Sequence, residues 1–555
     1  MTKLVVLPLD DRPVNYDYPQ MLSAIAGETV CLPPREWLGN PWRNSDHESL
    51  VNWFVKESID ADFVLVAVDT LAYGGLIPSR TSAEPFDSVL QKLNILKEVR
   101  KNNPDLEMYG FSVIQRVSRD NTDEEENPYW LQYGARMFRL SYLEHKSLLG
   151  ETSTEEENEK LQLSIEIPAE IYKDYLGKRK RNHQVNLKML EFVSEGILNY
   201  LILPQDDTVD YGWNIIEARK LQSIIRKEGL AEKAITYPGA DETSSLLLAR
   251  YFCQKENLHP AVFPRFSSGS SMTVITAYED RPMLELLKAH LSPLGGFVSD
   301  EADKADLKLF INAPAIQQGD GSLQWAAQFN KDELLQIVPT NITPYVEQLI
   351  VDPVFQATRR EMQTPKRNPE EFCCAVRHAI EMDSMVAIAD VAFVNGSDLI
   401  LGNHLMTMPE ITQLASYGGW NTAGNTLGTV LAQAMIFIIA KKKGMSSAQQ
   451  QAQFEFLYLR FLDDYCYQAI ERSLSMFEDL PEYGIAPTFG RIEDEISAKR
   501  IKQRIVERLA KQANKLSSLF CENQRIKSIE MKNVHLPWQR LFEVGFTVHA
   551  KLMNE

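Results

Sequence analysis

Short apolar runs punctuate the first half of the chain: "KLVVLPL", "FVLVAVD", "MYGFSVI", "YLILPQD" and "AITYPGA". After a polar turn, each gives way to a stretch with the period of an amphipathic helix, as in "FDSVLQKLNILKEVRK". Runs that are apolar without alternation belong to strands buried on both faces, and strands alternating with helices build a parallel sheet. Residues 122 to 198 form a long charged section whose pattern predicts a helical insertion. A second series begins at "TVITAYEDRPMLELLKAHL", continues through "LKLFINAP" and "MVAIADVAFVNGSD", and reaches "SYGGWNTAGNTLG", which opens the helix "TVLAQAMIFIIA". Beyond about residue 444 helical periods dominate until "IKSIEMKNVHLPWQRLFEVGFTVHAKL", which alternates like a terminal hairpin. The predicted class is α/β. A parallel β/α domain, barrel-like or doubly wound, occupies residues 1–265, a second Rossmann-like α/β unit residues 266–443, and a mainly helical region residues 444–555. Asp-Arg-Pro stands between a strand and a helix in both "PLDDRPVNYDYPQML" and "TAYEDRPMLELL", a faint internal echo.

In parallel α/β folds the functional groups gather beyond the carboxyl ends of the strands, where loops are free to vary. The predicted strand ends carry Asp10, Asp11, Arg12 and Asn15; Asp69, Thr70, Tyr73, Gly74 and Arg80; Gln115, Arg116, Ser118 and Arg119; Gln205, Asp206 and Asp207; and Asp241 and Glu242. Asp, Asn and Gly also favour helix caps and turns, which accounts well for Glu242 or Asn15. Capping needs one side chain, so it accounts less well for Asp206 beside Asp207, since two unneutralised neighbouring acids repel.

Composition narrows the function. The 555 residues carry a formal charge of -18 and a pI near 5.1, which opposes binding to nucleic acid. The six cysteines show no CxxC spacing, as expected of a reduced compartment and not of a zinc ribbon. The apolar run before Lys441 is shorter than the ~20 residues that cross a bilayer, so a cytoplasmic protein without a membrane partner is expected.

Adjacent acids at a strand end can divide acid/base work, one holding a proton while the other stays ionised. Glycoside hydrolysis uses such pairs, and Trp213, Tyr211 and Tyr73 offer faces for sugar rings. A strand ending in Asp-Asp is similar to that of the hexosaminidases that use the substrate's N-acetyl group as nucleophile. There the first acid orients the acetamide and the second protonates the leaving oxygen. The expected function is therefore a glycoside hydrolase with Asp206 and Asp207 catalytic. Asp10, Asp11, Arg12, Asp69, Tyr73, Arg80, Arg116, Asp241, Trp420, Asn421 and Asn425 would bind a small substrate, a sugar, with no cofactor. Three alternatives stand beside it. Asp206 can pair with an arginine such as Arg116 or Arg12. Asp10, Asp11, Asp69, Asp206, Asp207 and Asp241 can cage Mg²⁺ or Mn²⁺ for a metal-dependent hydrolase or isomerase. The chain can also bind a sugar without catalysis, and a homo-oligomer is compatible with any of these. Only His404 of nine histidines lies near a predicted strand end, and no phosphate loop, dinucleotide fingerprint or nucleophile elbow is present. "YGGWNTAGNTLG" offers backbone N–H groups at a helix start; Asn421 or Thr422 can cap it, and Asn421 and Asn425, four apart, would share a helical face.

Taken together, "LPLDDRPVN", "DTLAYGGLIPSR", "LPQDDTVDYGWN", "YPGADE" and "YGGWNTAGNTLG" resemble the bacterial family known as domain of unknown function 4127. The resemblance covers most of the chain. It implies a bacterial cytoplasmic protein and brings no activity with it.

Overall fold

The computed structural model describes residues 2–553. Its internal contacts divide the chain into two compact units, one of Met1–Gln20, Glu28–Leu247 and Tyr278–Asp280, the other of Met21–Gly27, Leu248–Ala277 and Arg281–Glu555.

In the first unit six strands form one parallel sheet: β1 (Leu4–Leu7), β2 (Val30–Cys31), β3 (Phe63–Ala67), β4 (Glu107–Phe111), β5 (Tyr200–Gln205) and β6 (Ala234–Pro238), in the order β2-β1-β3-β4-β5-β6. Every residue of β1, β3 and β5 is buried, which is why these runs are apolar without alternation. Three strands separate β1 from β6, so in a flat sheet they would lie roughly 19 Å apart, at about 4.8 Å per strand. Arg12, just past β1, nevertheless reaches Asp241, just past β6, at 2.5 Å. The carboxyl edge of the sheet therefore curls on itself, although β1 and β6 do not pair among the described residues. The sheet is barrel-like and open. The charged section after β4 contains the helices Trp130–Leu148, Thr154–Glu166 and Ala169–Ser194. Trp130, Met137, Leu140, Tyr175 and Trp213 form a small core of their own.

The second unit holds a five-stranded parallel sheet of β7 (Ala261–Phe266), β8 (Phe297–Val298), β9 (Leu307–Asn312), β11 (Val386–Asp390) and β13 (Ser416–Gly418), in the order β13-β11-β9-β7-β8. A two-residue ladder joins β10 (Gly319–Asp320) to β12 (Phe393–Val394). The first strand is "AVFPRF" and not "TVIT", which forms only an isolated bridge between Ile275 and Pro282. Pro264 and Arg265 disguise this strand. Ser267 donates its N–H to Ile311 on the β9 side, so by alternation the missing N–H of Pro264 faces the β8 side, where pairing stops at Val262. Proline there removes no ladder bond. Helix Ala423–Lys443 is buried along nearly its whole length and ends in three lysines at its negative pole. The helix Ser447–Arg460 passes into a π-helical stretch, Phe461–Glu471; the helix Glu495–Cys521 and an antiparallel hairpin of β14 (Ile526–His535) and β15 (Gly545–Leu552) complete the unit.

Candidate active site at the carboxyl edge of the first sheet

β5 delivers Asp206 buried, and the backbone then turns left-handed at Asp207, with φ 39°. That turn, which aspartate tolerates better than most residues, sends the neighbouring carboxylates to different partners. Asp206 Oδ2 meets Arg80 Nη2 at 2.5 Å, and Asp207 Oδ2 meets Arg116 Nη1 at 3.1 Å. Glu125 and Glu126, from the acidic run "DEEE", bridge the two guanidiniums: Arg80 lies 3.2 Å from Glu125, and Arg116 lies 3.1 Å from Glu125 and 3.2 Å from Glu126. Arg179 of the insertion donates to the carbonyls of Gln115 and Arg116 at 2.9 Å each, fixing the segment that follows β4.

Asp69 stands beside this network, on the short helix Val68–Tyr73 that follows β3. Its carboxyl accepts the Val113 N–H at 2.9 Å and the Gln115 amide at 3.2 Å. Burial pushes Asp69 up to about 7. Burial, and then the charge of Asp206, push Asp207 up to about 6. Two acids at this edge of the sheet are thus raised toward neutrality, the range that acid/base chemistry uses.

A second knot lies where the edge curls. Arg12 Nε donates to Asp10 Oδ2 at 2.9 Å and its Nη2 to Asp241 Oδ1 at 2.5 Å; Asn15 Nδ2 donates to Asp10 Oδ1 at 2.9 Å. Burial raises Asp241, against the lowering charge of Arg12. Asp11 points elsewhere, 3.6 Å from Arg43.

Several expectations need correction. Tyr73 packs against the main core with Arg181 4.6 Å over its ring, and Trp213 is buried in the insertion with its Nε1 donating to Glu144 at 2.7 Å. Neither offers a face to a sugar. The aromatic beside the carboxylates is Tyr278, whose carbonyl accepts the Thr208 N–H at 2.9 Å and whose ring lies 4.9 Å from the Arg119 guanidinium. Its only signal in the sequence was its place next to the Asp-Arg-Pro echo. Of the acids named for a metal cage, Asp206 and Asp207 each pair with an arginine, and among the described residues no three His, Cys, Asp or Glu are grouped as metal ligands. His404 lies on a helix, 3.3 Å from Glu370.

Trp420, Asn421 and Asn425 belong to the second unit. Thr422, not Asn421, caps the helix, accepting the Asn425 N–H at 3.3 Å. Asn421 lies outside the helix with φ 61°, so it shares no helical face with Asn425. Trp420 is buried, with its ring 6.4 Å from that of Phe542. The glycines serve close packing: a Cβ on Gly418 would stand 2.4 Å from Arg460 Nη2, and one on Gly419 2.2 Å from Ser397 Oγ.

No curated protein and no solved structure matches the chain at the level that establishes relatedness. The sequence model of one family matches residues 4–547, from the first strand to the last hairpin. The carboxylates and arginines that meet at the first sheet's edge, and the glycine loop of the second unit, all fall within that span, and the chain belongs to the family described as protein of unknown function (DUF4127).

Proposed function

We propose that the protein is a hydrolase of bacterial carbohydrate metabolism, acting in the cytoplasm on the glycosidic bond of a small sugar. One observation carries this reading: the adjacent acids Asp206 and Asp207 are held apart in environment, Asp206 against Arg80 and Asp207 raised to about 6 beside Arg116. In this reading the Asp207 carboxyl protonates the leaving glycosidic oxygen. Asp206, paired with Arg80, orients the reacting ring or stabilises the positive charge that develops on it. Asp10, Arg12, Asp69 and Asp241 then bind hydroxyls around the curled edge.

The test is turnover of a panel of chromogenic glycosides, N-acetylhexosaminides included, by the wild-type protein and by Asp207→Asn. The amide keeps the size and loses the proton, so the variant should stay folded while its rate falls by about 10² to 10⁴. Full activity in Asp207→Asn removes that residue from the reaction, and no turnover of any glycoside overturns the reading.

A further inference from the structure

Among the described residues, the amide oxygens of Gln205 and Asn15, at the carboxyl edge of the first sheet, find no hydrogen-bond donor. Gln205, the last residue of β5, is 1% exposed; its Nε2 faces Asp280 Oδ2 at 3.5 Å, and its Oε1 is bare. Asn15 is 0% exposed; its Nδ2 donates to Asp10 at 2.9 Å and faces Asp241 at 3.4 Å, and its Oδ1 is bare. The carboxylates fix both orientations, since reversing either amide would set oxygen against oxygen. Both deficits are therefore of donors.

The charges point the same way. Four carboxylates, Asp206, Asp207, Glu125 and Glu126, share two guanidiniums, those of Arg80 and Arg116. Asp69 accepts from the Val113 N–H and the Gln115 amide, both neutral donors. A hydroxyl would satisfy an orphan oxygen and leave the charge unbalanced. An ammonium group brings several N–H donors and a positive charge in one compact group.

We propose that this site takes a ligand bearing a primary ammonium group, an amino sugar on the carbohydrate reading it rests on, whose ammonium and neighbouring hydroxyls donate to Gln205 Oε1 and Asn15 Oδ1. The orphan oxygens are then unfilled substrate contacts.

Titration calorimetry of the full chain with glucosamine, N-acetylglucosamine and glucose tests this. Glucosamine should bind at least about tenfold more tightly than either neutral sugar, the gain expected of one charge-assisted contact. Gln205→Leu should fold with an unchanged or raised melting temperature, because an unsatisfied buried acceptor has been removed, and should lose that preference. Equal affinities for the three sugars, or no binding of glucosamine, overturn the proposal on the wild-type protein alone. So does a Gln205→Leu variant that melts lower and keeps the preference, which would make Gln205 structural. The two readings fail separately. Turnover of neutral glycosides without an amine preference leaves the hydrolase standing, whereas amine binding without turnover of any glycoside removes the hydrolase and keeps the amine site.

Discussion

Burial of Asp69 makes the stability of the fold depend on pH. A carboxyl that titrates near 4 in the unfolded chain and at about 7 when folded keeps its proton longer in the folded state. Its full contribution to stability is present below pH 4, where both states are protonated. Between pH 4 and 7 the unfolded chain releases the proton and the folded chain does not, so stability drains away as pH rises. The loss above pH 7 is of the order of 4 kcal/mol from this group. The wild-type melting temperature should therefore fall from pH 5 to pH 8 more steeply than that of Asp69→Asn, which has no proton to lose. Parallel slopes would show that Asp69 is ionised throughout. Such a residue is visible in sequence as an acid after an apolar run; its partners are not. Asp206 was open to pairing with Arg116 or Arg12, yet it meets Arg80, 126 positions away, while Arg116 takes Asp207. Sequence supplies the charges at strand ends, and only the curl of the sheet decides which of them touch.

At the scale of elements, legibility followed burial pattern. β1, β3, β4, β5 and β6 are apolar on both faces and announce themselves, whereas β7 hides behind Pro264 and β2 and β8 are two residues long. The π-helical stretch was legible as helix but not as π: from Phe461 to Ala469 every residue is buried, including Asp463 and Asp464, so no polar face reveals the period. Its docking depends on Gly402, where an added Cβ would stand 2.1 Å from the Tyr465 ring. Gly402→Ala should cost roughly 1–3 kcal/mol, the usual penalty of overpacking, measured by urea denaturation. Gly177 is the control, since it sits in the helix Ala169–Ser194 with open space around it, and alanine there should stabilise by up to about 1 kcal/mol. Equal effects at the two positions would mean that the contact with Tyr465 relaxes freely.

The whole molecule repeats one plan. Counted within each sheet, both parallel sheets begin 2-1-3-4-5, and in each the Asp-Arg-Pro tripeptide lies between the first strand and the helix that follows it: Asp11-Arg12-Pro13 before Pro13–Ala26, and Asp280-Arg281-Pro282 before Met283–Leu291. A tripeptide alone carries little weight; the same slot in two sheets of the same strand order gives it structural meaning. Each sheet has its own fully buried centre, with Leu65 in β3 and Ile388 in β11 at 0% exposure. Units with separate cores need not unfold together, and a single two-state transition is not the expectation for such a chain. Leu65→Ala and Ile388→Ala should each cost about 2–5 kcal/mol through the cavity they leave. In scanning calorimetry the wild-type trace should resolve into two transitions, with Leu65→Ala lowering one and Ile388→Ala the other. A single transition that both substitutions shift alike would show that the two sheets unfold as one cooperative body.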